Sequence, residues 1–298
     1  MTVAVAATAG EVRRLVGDAR RAGFKVGLVP TMGALHQGHA SLIRQARAET
    51  GCVVVSIFVN PTQFGPNEDL TRYPRSLEAD LTLSAACGAS VAFVPAVETI
   101  YPPGFRTYVE VTGLQDVLEG ESRPGHFRGV ATVVLKLLIL VQPDVAWFGH
   151  KDAQQVRIIK QLVRDLDVPV EIRVGPTVRE SDGLALSSRN QYLAPEQRKA
   201  ATALVRALAA ATSLYEGGER RADTIATTMA GLIRATPGAS LDYAAVVDSD
   251  TLEPVVTLRG PALVALAVRF GTTRLIDNVL LTDELGPSVT GPSPGRQS

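Results

Sequence analysis

Three apolar runs that do not alternate with polar residues constrain this chain most: 26–29, 52–59 and 145–148. A strand with one face in water alternates, whereas one covered on both faces does not, and double coverage is the habit of parallel sheets flanked by helices. Each run is followed at once by a polar cluster. The clusters are Pro30-Thr31-Met32-Gly33-Ala34-Leu35-His36-Gln37-Gly38-His39, Asn60-Pro61-Thr62-Gln63-Phe64 and Gly149-His150-Lys151-Asp152-Ala153-Gln154-Gln155. Parallel strands would bring these clusters to one rim, the ligand rim of open α/β sheets. A fourth cluster, Leu186-Ser187-Ser188-Arg189-Asn190, lies further on.

Helical patterns at 10–22, 38–49, 76–86, 130–141 and 152–166 alternate with these runs and with further strand candidates at 89–94 and 170–174. That order predicts an α/β fold, a Rossmann-like doubly wound parallel sheet. From Pro195 the texture changes to helices at 195–215 and 222–235, then strands near 241–247, 262–268 and 274–279, as in a smaller α+β domain. The expected division is a first domain at 1–178, a second at 179–281 and a disordered tail at 282–298, rich in Gly, Pro, Ser and Thr. The stretch 101–129 lacks regular patterning, and so long an excursion is usually functional or interfacial.

Acidic and basic residues balance at 30 each, which argues against a general nucleic-acid or membrane-surface binder. Any phosphate binding must therefore be local. The longest apolar stretch, 130–141, is interrupted by Lys136 and falls short of the roughly 20 residues a bilayer requires. Without a basic leader at the N-terminus, and with only Cys52 and Cys87, the expected compartment is the reducing cytoplasm.

His36 and His39 flank Gly38 just before a helix, where unpaired backbone N–H groups can face an anion. The helix dipole disfavours an imidazolium there, so neutral or partly protonated rings would donate to a phosphate, which would pull their pKa back up. A zinc reading lacks a Cys, Asp or Glu in the same loop. Lys151 offers a flexible cation to a departing polyphosphate, while Ser187, Ser188 and Arg189 offer two hydroxyls and a guanidinium fork. Asn60, Gln63 and Gln155 are neutral amides that can hold hydroxyl and carboxyl oxygens. No Gly-x-Ser-x-Gly elbow, Walker loop or dinucleotide glycine fingerprint occurs, so covalent catalysis by a side chain is not suggested.

The His36-Gln37-Gly38-His39 loop resembles the HxGH signature of the nucleotidyltransferase-like superfamily. Together with VSIFVNPTQFGPNEDLTRYPR at 55–75, LEGESRPGHFRG at 118–129, FGHKDAQQ at 148–155 and DGLALSSRNQYL at 182–193, the chain resembles the pantoate-β-alanine ligase family. The resemblance implies a Rossmann-like ATP- and pantoate-binding domain, a C-terminal lid, a homodimer, and ATP as substrate with Mg²⁺. It implies a pantoyl-adenylate from ATP and pantoate, from which the amine of β-alanine displaces AMP to give pantothenate. By matching motif, Met32, Gly33, Ala34, Leu35, His36, Gln37, Gly38 and His39 would line the ATP site with Gly149, His150, Lys151, Asp152, Val178, Leu186, Ser187, Ser188 and Arg189. His39, His36, Lys151 and Arg189 would be catalytic. Gln63, Gln155 and Asn60 would hold pantoate and β-alanine, and Asp80 would be an outer-sphere metal partner.

One departure stands out: the family commonly has Gly-Glu-Lys-Asp where this chain has Gly149-His150-Lys151-Asp152. Two other readings of the same residues are a transferase that hands AMP to a phosphorylated precursor and a non-catalytic nucleotide-binding module. The neutral amide set favours a small hydroxy acid over the first, and the full set of polar groups disfavours the second.

Overall fold

The computed structural model describes residues 3–66 and 68–283. In chain order the first half comprises β1 (Ala4–Ala6), α1 (Ala9–Arg21), β2 (Val26–Thr31), α2 (Gln37–Glu49), β3 (Cys52–Ile57), α3 (Leu77–Ala86), β4 (Val91–Phe93) and α4 (Val97–Ile100). It continues with α5 (Glu119–Ser122), α6 (His126–Val141), β5 (Val145–Gly149), α7 (Ala153–Asp165) and β6 (Glu171–Gly175). The second half holds α8 (Pro195–Ala200), α9 (Ala203–Glu216), α10 (Ala222–Arg234), β7 (Ala239–Asp248), β8 (Ala262–Phe270) and β9 (Thr273–Leu281).

The six strands β1 to β6 form one sheet in the order β1-β4-β3-β2-β5-β6, and every pairing is parallel. All six residues of β3 are buried, as the absence of alternation requires of a strand covered on both faces. Val29, Val53, Val55 and Trp147 pack with Ile43 and Ala46 of α2 in one core layer. The chain winds outward from β2 through β3 and β4, then restarts on the other side at β5. The order therefore reverses between β2 and β5, and such a switch point is where open α/β sheets usually form their ligand crevice.

The described residues divide into two compact units, one within 3–178 with Leu186–Ser188, the other of Arg179–Ala185 with 189–283. The second unit is built on an antiparallel sheet, β7-β8-β9. Its core joins Leu204, Leu208, Ile225, Met229 and Ile233 of the helices to Val264, Leu266 and Val268 of β8.

Some elements differ from the sequence expectation. The edge strand β1 was not anticipated, because Ala4-Val5-Ala6 is too short to show a period. The helix expected from 130 begins at His126, so the irregular excursion is shorter than expected and also contains α5. The helix expected over 195–215 breaks in two, where Thr202 Oγ1 donates to the Lys199 carbonyl at 2.8 Å in a tight turn. The tail expected at 282–298 lies, from 284 onward, outside the described residues.

The early start of α6 depends on Gly129. A Cβ there would sit 2.4 Å from the Thr62 carbonyl oxygen and 2.7 Å from the Gln63 nitrogen, so only glycine lets the helix touch the short 3-10 turn Pro61–Gln63. Gly129→Ala is expected to destabilise the protein by about 1–3 kcal/mol, the usual cost of overpacking. Urea unfolding checks this, and an unchanged midpoint would show that the backbone contact is not tight.

Candidate active site

The loop leaving β2 is held by the Thr31 hydroxyl and one distant carboxylate. Thr31 Oγ1 donates to the Ser56 carbonyl at 2.6 Å and accepts the Gly33 N–H at 3.2 Å. Gly33 and Ala34 then adopt left-handed backbone, with φ of 82° and 51°. Two successive residues in that region do not hold themselves, and Asp80 of α3 stabilises them. Its Oδ2 accepts the Ala34 N–H at 3.0 Å and its Oδ1 accepts the Leu35 N–H at 2.7 Å. A side chain at Gly33 would come within 2.9 Å of Asp80 Oδ2, so the clamp and the glycine require each other. Burial raises the Asp80 carboxyl above its ordinary pKa, against the pull of the two amides.

This loop delivers the chain to α2, which is capped by imidazoles. His36 is the N-cap residue in extended backbone, and its Nδ1 accepts the Gly38 N–H at 3.1 Å. His39 reaches back, and its Nδ1 accepts the His36 N–H at 3.2 Å. The two rings lie 4.2 Å apart, centroid to centroid. An Nδ1 that accepts a backbone N–H carries no proton, so each neutral ring has its proton on Nε2. Burial, then the Lys151 charge, lowers the His36 pKa to about 4; burial, then the neighbouring His36, lowers that of His39 to about 3. Both imidazoles are therefore neutral donors at the start of a helix.

Beyond β3, Asn60 and Gln63 form a buried amide platform, 1% and 8% exposed. Asn60 Nδ2 donates to Gln63 Oε1 and to the Gly129 carbonyl, both at 3.1 Å. Asn60 Oδ1 accepts from Tyr101 Oη at 2.8 Å and from Thr62 Oγ1 at 2.9 Å. Gln63 Nε2 lies 3.1 Å from the Met32 sulfur, which ties the platform to the histidine loop. Below it, Glu68, Arg123 and His126 form a chain that ends on the Gln63 carbonyl oxygen.

Beyond β5 the chain makes a 3-10 turn, His150–Asp152, in which Lys151 Nζ lies 3.6 Å from Asp152 Oδ1. Lys151 and Asp152 both act electrostatically on His36 and His39, so the first and third clusters converge. On α7, Gln155 is partly exposed, while the adjacent Gln154 is buried and structural. Gln154 donates to the Leu114 and Val117 carbonyls at 2.9 and 2.8 Å and accepts the Glu119 N–H at 3.0 Å. The Leu186 N–H donates to the Val178 carbonyl at 2.9 Å, joining two residues expected at a nucleotide. Ser188 Oγ lies 3.3 Å from Tyr73 Oη, while Arg189 belongs to the second unit.

Sequence reading did not anticipate Gln154, Tyr101 or the Glu68–Arg123–His126 chain, and it expected a metal-side role of Asp80, whose two oxygens here hold loop amides. Tyr101, Arg123 and His126 carried a signal from their place in the flagged excursion 101–129, and Gln154 from its place in the third polar cluster.

Parallel doubly wound topology, an HxGH loop at the switch point and a lysine on the neighbouring loop define a nucleotide-binding α/β protein of the HxGH class. A profile of the pantoate-beta-alanine ligase family matches residues 4–280. Pantothenate synthetase of Moorella thermoacetica is 57% identical over 274 residues, covering 92% of this chain and 97% of the relative. That of Chloroflexus aurantiacus is 56% identical over 266 residues, covering 89% and 95%. The crystal structure of pantothenate synthetase from Thermus thermophilus superposes with a TM-score of 0.89 at 47% identity, covering 93% of this chain and 99% of that one. A pantoate-beta-alanine ligase from Francisella tularensis, crystallised with Beta-gamma ATP and Beta-alanine, superposes with a TM-score of 0.73 at 37% identity, covering 96% and 100%. The chain belongs to the pantoate-β-alanine ligase family and is an enzyme of that family.

The neutral histidines predict an acid limit to stability. His36, His39 and His126 all have folded pKa values below the ordinary 6.5, at about 4, 3 and 4. Between those values and 6.5 the unfolded chain binds protons that the folded one does not. Their stabilising contribution is therefore complete above that upper value and declines as pH falls through the window. In His39→Gln the fall in Tm between neutral and acid pH should be shallower than in the parent. Identical slopes would contradict the neutral assignment.

Proposed function

We propose that the chain condenses (R)-pantoate with β-alanine to pantothenate, cleaving ATP to AMP and pyrophosphate through a pantoyl-adenylate. The observation that carries this reading is the pair of neutral, helix-capping imidazoles within electrostatic reach of Lys151 at the sheet's switch point. The family membership and the Francisella relative's complex with an ATP ligand and β-alanine support the same choice of substrates.

In the first step a pantoate carboxylate oxygen attacks the α-phosphorus, and the bond to the pyrophosphate oxygen breaks. Negative charge grows on the departing pyrophosphate. The Nε2–H groups of His36 and His39 and the Lys151 ammonium are donors suited to that charge. Arg189 with Ser187 and Ser188 would serve the same phosphates, alongside Met32, Gly33, Ala34, Leu35, Gln37, Gly38, Gly149, His150, Asp152, Val178 and Leu186. In the second step the neutral amine of β-alanine attacks the acyl carbon, AMP leaves with the bonding electrons, and the nitrogen gives up one proton to solvent. Neither step needs a nucleophile from the protein.

Gln63, with Asn60 and Gln155, would hold the two small substrates through neutral amides, adding no charge beside the reacting carboxylate. Mg²⁺ would accompany the nucleotide. Among the described residues no group of three or more His, Cys, Asp or Glu forms a cage, and an ion that keeps several waters and rides on substrate phosphates needs none. An outer-sphere role for Asp80 would have to coexist with its two bonds to loop amides. Assembly as a homodimer, a cytoplasmic location and a lid role for 179–281 belong to the same proposal. Among the described residues no helix is long and apolar enough to cross a membrane.

With ATP and pantoate alone the enzyme should release pyrophosphate before β-alanine is added. Folded protein that releases none would remove the two-step mechanism. Lys151→Ala and His39→Ala should each lower turnover by roughly two to three orders of magnitude with the fold retained, as for other losses of transition-state charge contacts. Near-normal rates in both would break the assignment.

A further inference from the structure

The platform that carries Gln63 is braced from below by a chain of three ionisable side chains that the proposed chemistry leaves unused. Glu68 accepts from Arg123 through both oxygens, Nε to Oε1 at 2.6 Å and Nη2 to Oε2 at 2.7 Å. Arg123 Nη1 lies 3.0 Å from His126 Nε2, and His126 Nδ1 lies 2.9 Å from the Gln63 carbonyl oxygen. Arginine only donates and a carbonyl only accepts, so the bond directions are fixed: Nε2 accepts, and Nδ1 carries the proton and donates. Burial, then the Arg123 charge, holds the ring neutral, with its pKa lowered to about 4. Arg123 Nη2 approaches the same carbonyl at 3.4 Å, and Gly129 brings the α6 backbone against Thr62 and Gln63. The His126, Arg123 Nη2 and Gly129 contacts act on the backbone of the 3-10 turn, while the Gln63 amide is held by Asn60 and Met32.

We propose that His126, oriented by Arg123 and Glu68, is a positioning residue that sets the placement of the Gln63 amide toward the small-substrate carboxylates. The inference rests on reading Gln63 as a ligand of pantoate and β-alanine. Loss of the Nδ1–H bond frees the turn to shift, and a displacement of about an ångström in a binding group is enough to cost one to two orders of magnitude.

The test is a set of steady-state measurements on His126→Ala, His126→Asn, Glu68→Gln, Gln63→Ala and the double variant His126→Ala/Gln63→Ala, with Tm recorded for each. His126→Ala should raise KM for pantoate or β-alanine by about 10- to 100-fold while KM for ATP moves by less than about 2-fold. His126→Asn places a side-chain N–H where Nδ1 was and should recover to within about 3-fold of the parent. Glu68→Gln should shift the same KM in the same direction, which keeps the proposal testable if His126→Ala does not fold. In the Gln63→Ala background, His126→Ala should add less than about 2-fold, because the two act through one contact.

A His126→Ala effect that falls equally on the ATP KM, that Asn does not rescue, or that multiplies fully with Gln63→Ala would overturn the positioning role. Gln63→Ala with unchanged KM for both small substrates would instead remove the reading of Gln63 on which it stands. An impaired Gln63→Ala beside a normal His126→Ala would sink the positioning role alone.

Discussion

The histidine loop, the proposed nucleotide end of this protein, depends on how the chain crosses from β2 to α2, and that crossing is fixed by the Asp80 carboxylate. Two consecutive residues in left-handed backbone would relax if unsupported, and their amides would face a nearly dry interior. The carboxylate accepts the Ala34 and Leu35 N–H groups while Thr31 Oγ1 accepts that of Gly33, and the space for the carboxylate exists because position 33 is a glycine. With the turn fixed, α2 starts where His36 and His39 can cap it reciprocally. Capping and neutrality are one constraint, because an Nδ1 that accepts a backbone N–H has no room for a proton. A structural requirement of the helix thereby sets the protonation state of the two groups best placed to donate to phosphate.

The end proposed for the small substrates is built in another way. It relies on Asn60, whose amide is fully bonded within the platform, and on α6, whose first turn touches the backbone beneath Gln63. The histidine of this half, His126, takes the opposite tautomer from the two that cap α2, and each assignment follows from the partner of Nδ1: an amide N–H in one case, a carbonyl oxygen in the other. The Met32 sulfur beside Gln63 Nε2 joins the two halves, so displacement of the histidine loop would be felt at the platform.

The parallel sheet was legible because β2, β3 and β5 are buried on both faces and their residues do not alternate. Convergence of the first and third clusters followed from topology alone, since β2 and β5 are neighbours on either side of the order reversal. The missed parts share one cause, dependence on partners distant in sequence. Asp80 sits 46 residues from Ala34, and no local pattern separates its carboxylate from any other acid in the first turn of a helix. Gln154 and Gln155 are chemically identical, and only the fold shows that the first closes the 114–119 loop while the second is partly exposed. The start of α6 at His126 was hidden by the Pro124-Gly125 pair before it, and Gly129 looked like a loop residue until its contact with Thr62 showed why no side chain fits.

The central claim, that the start of α2 holds two neutral imidazoles through their Nδ1 atoms, is tested most directly by nitrogen-15 NMR of the histidine rings at neutral pH without ligands. The account predicts that His36 and His39 are both neutral with the proton on Nε2, and that replacing Asp80 with alanine disturbs those signals before it disturbs the rest of the sheet. An imidazolium, or a proton on Nδ1, at either position in the parent protein would contradict it.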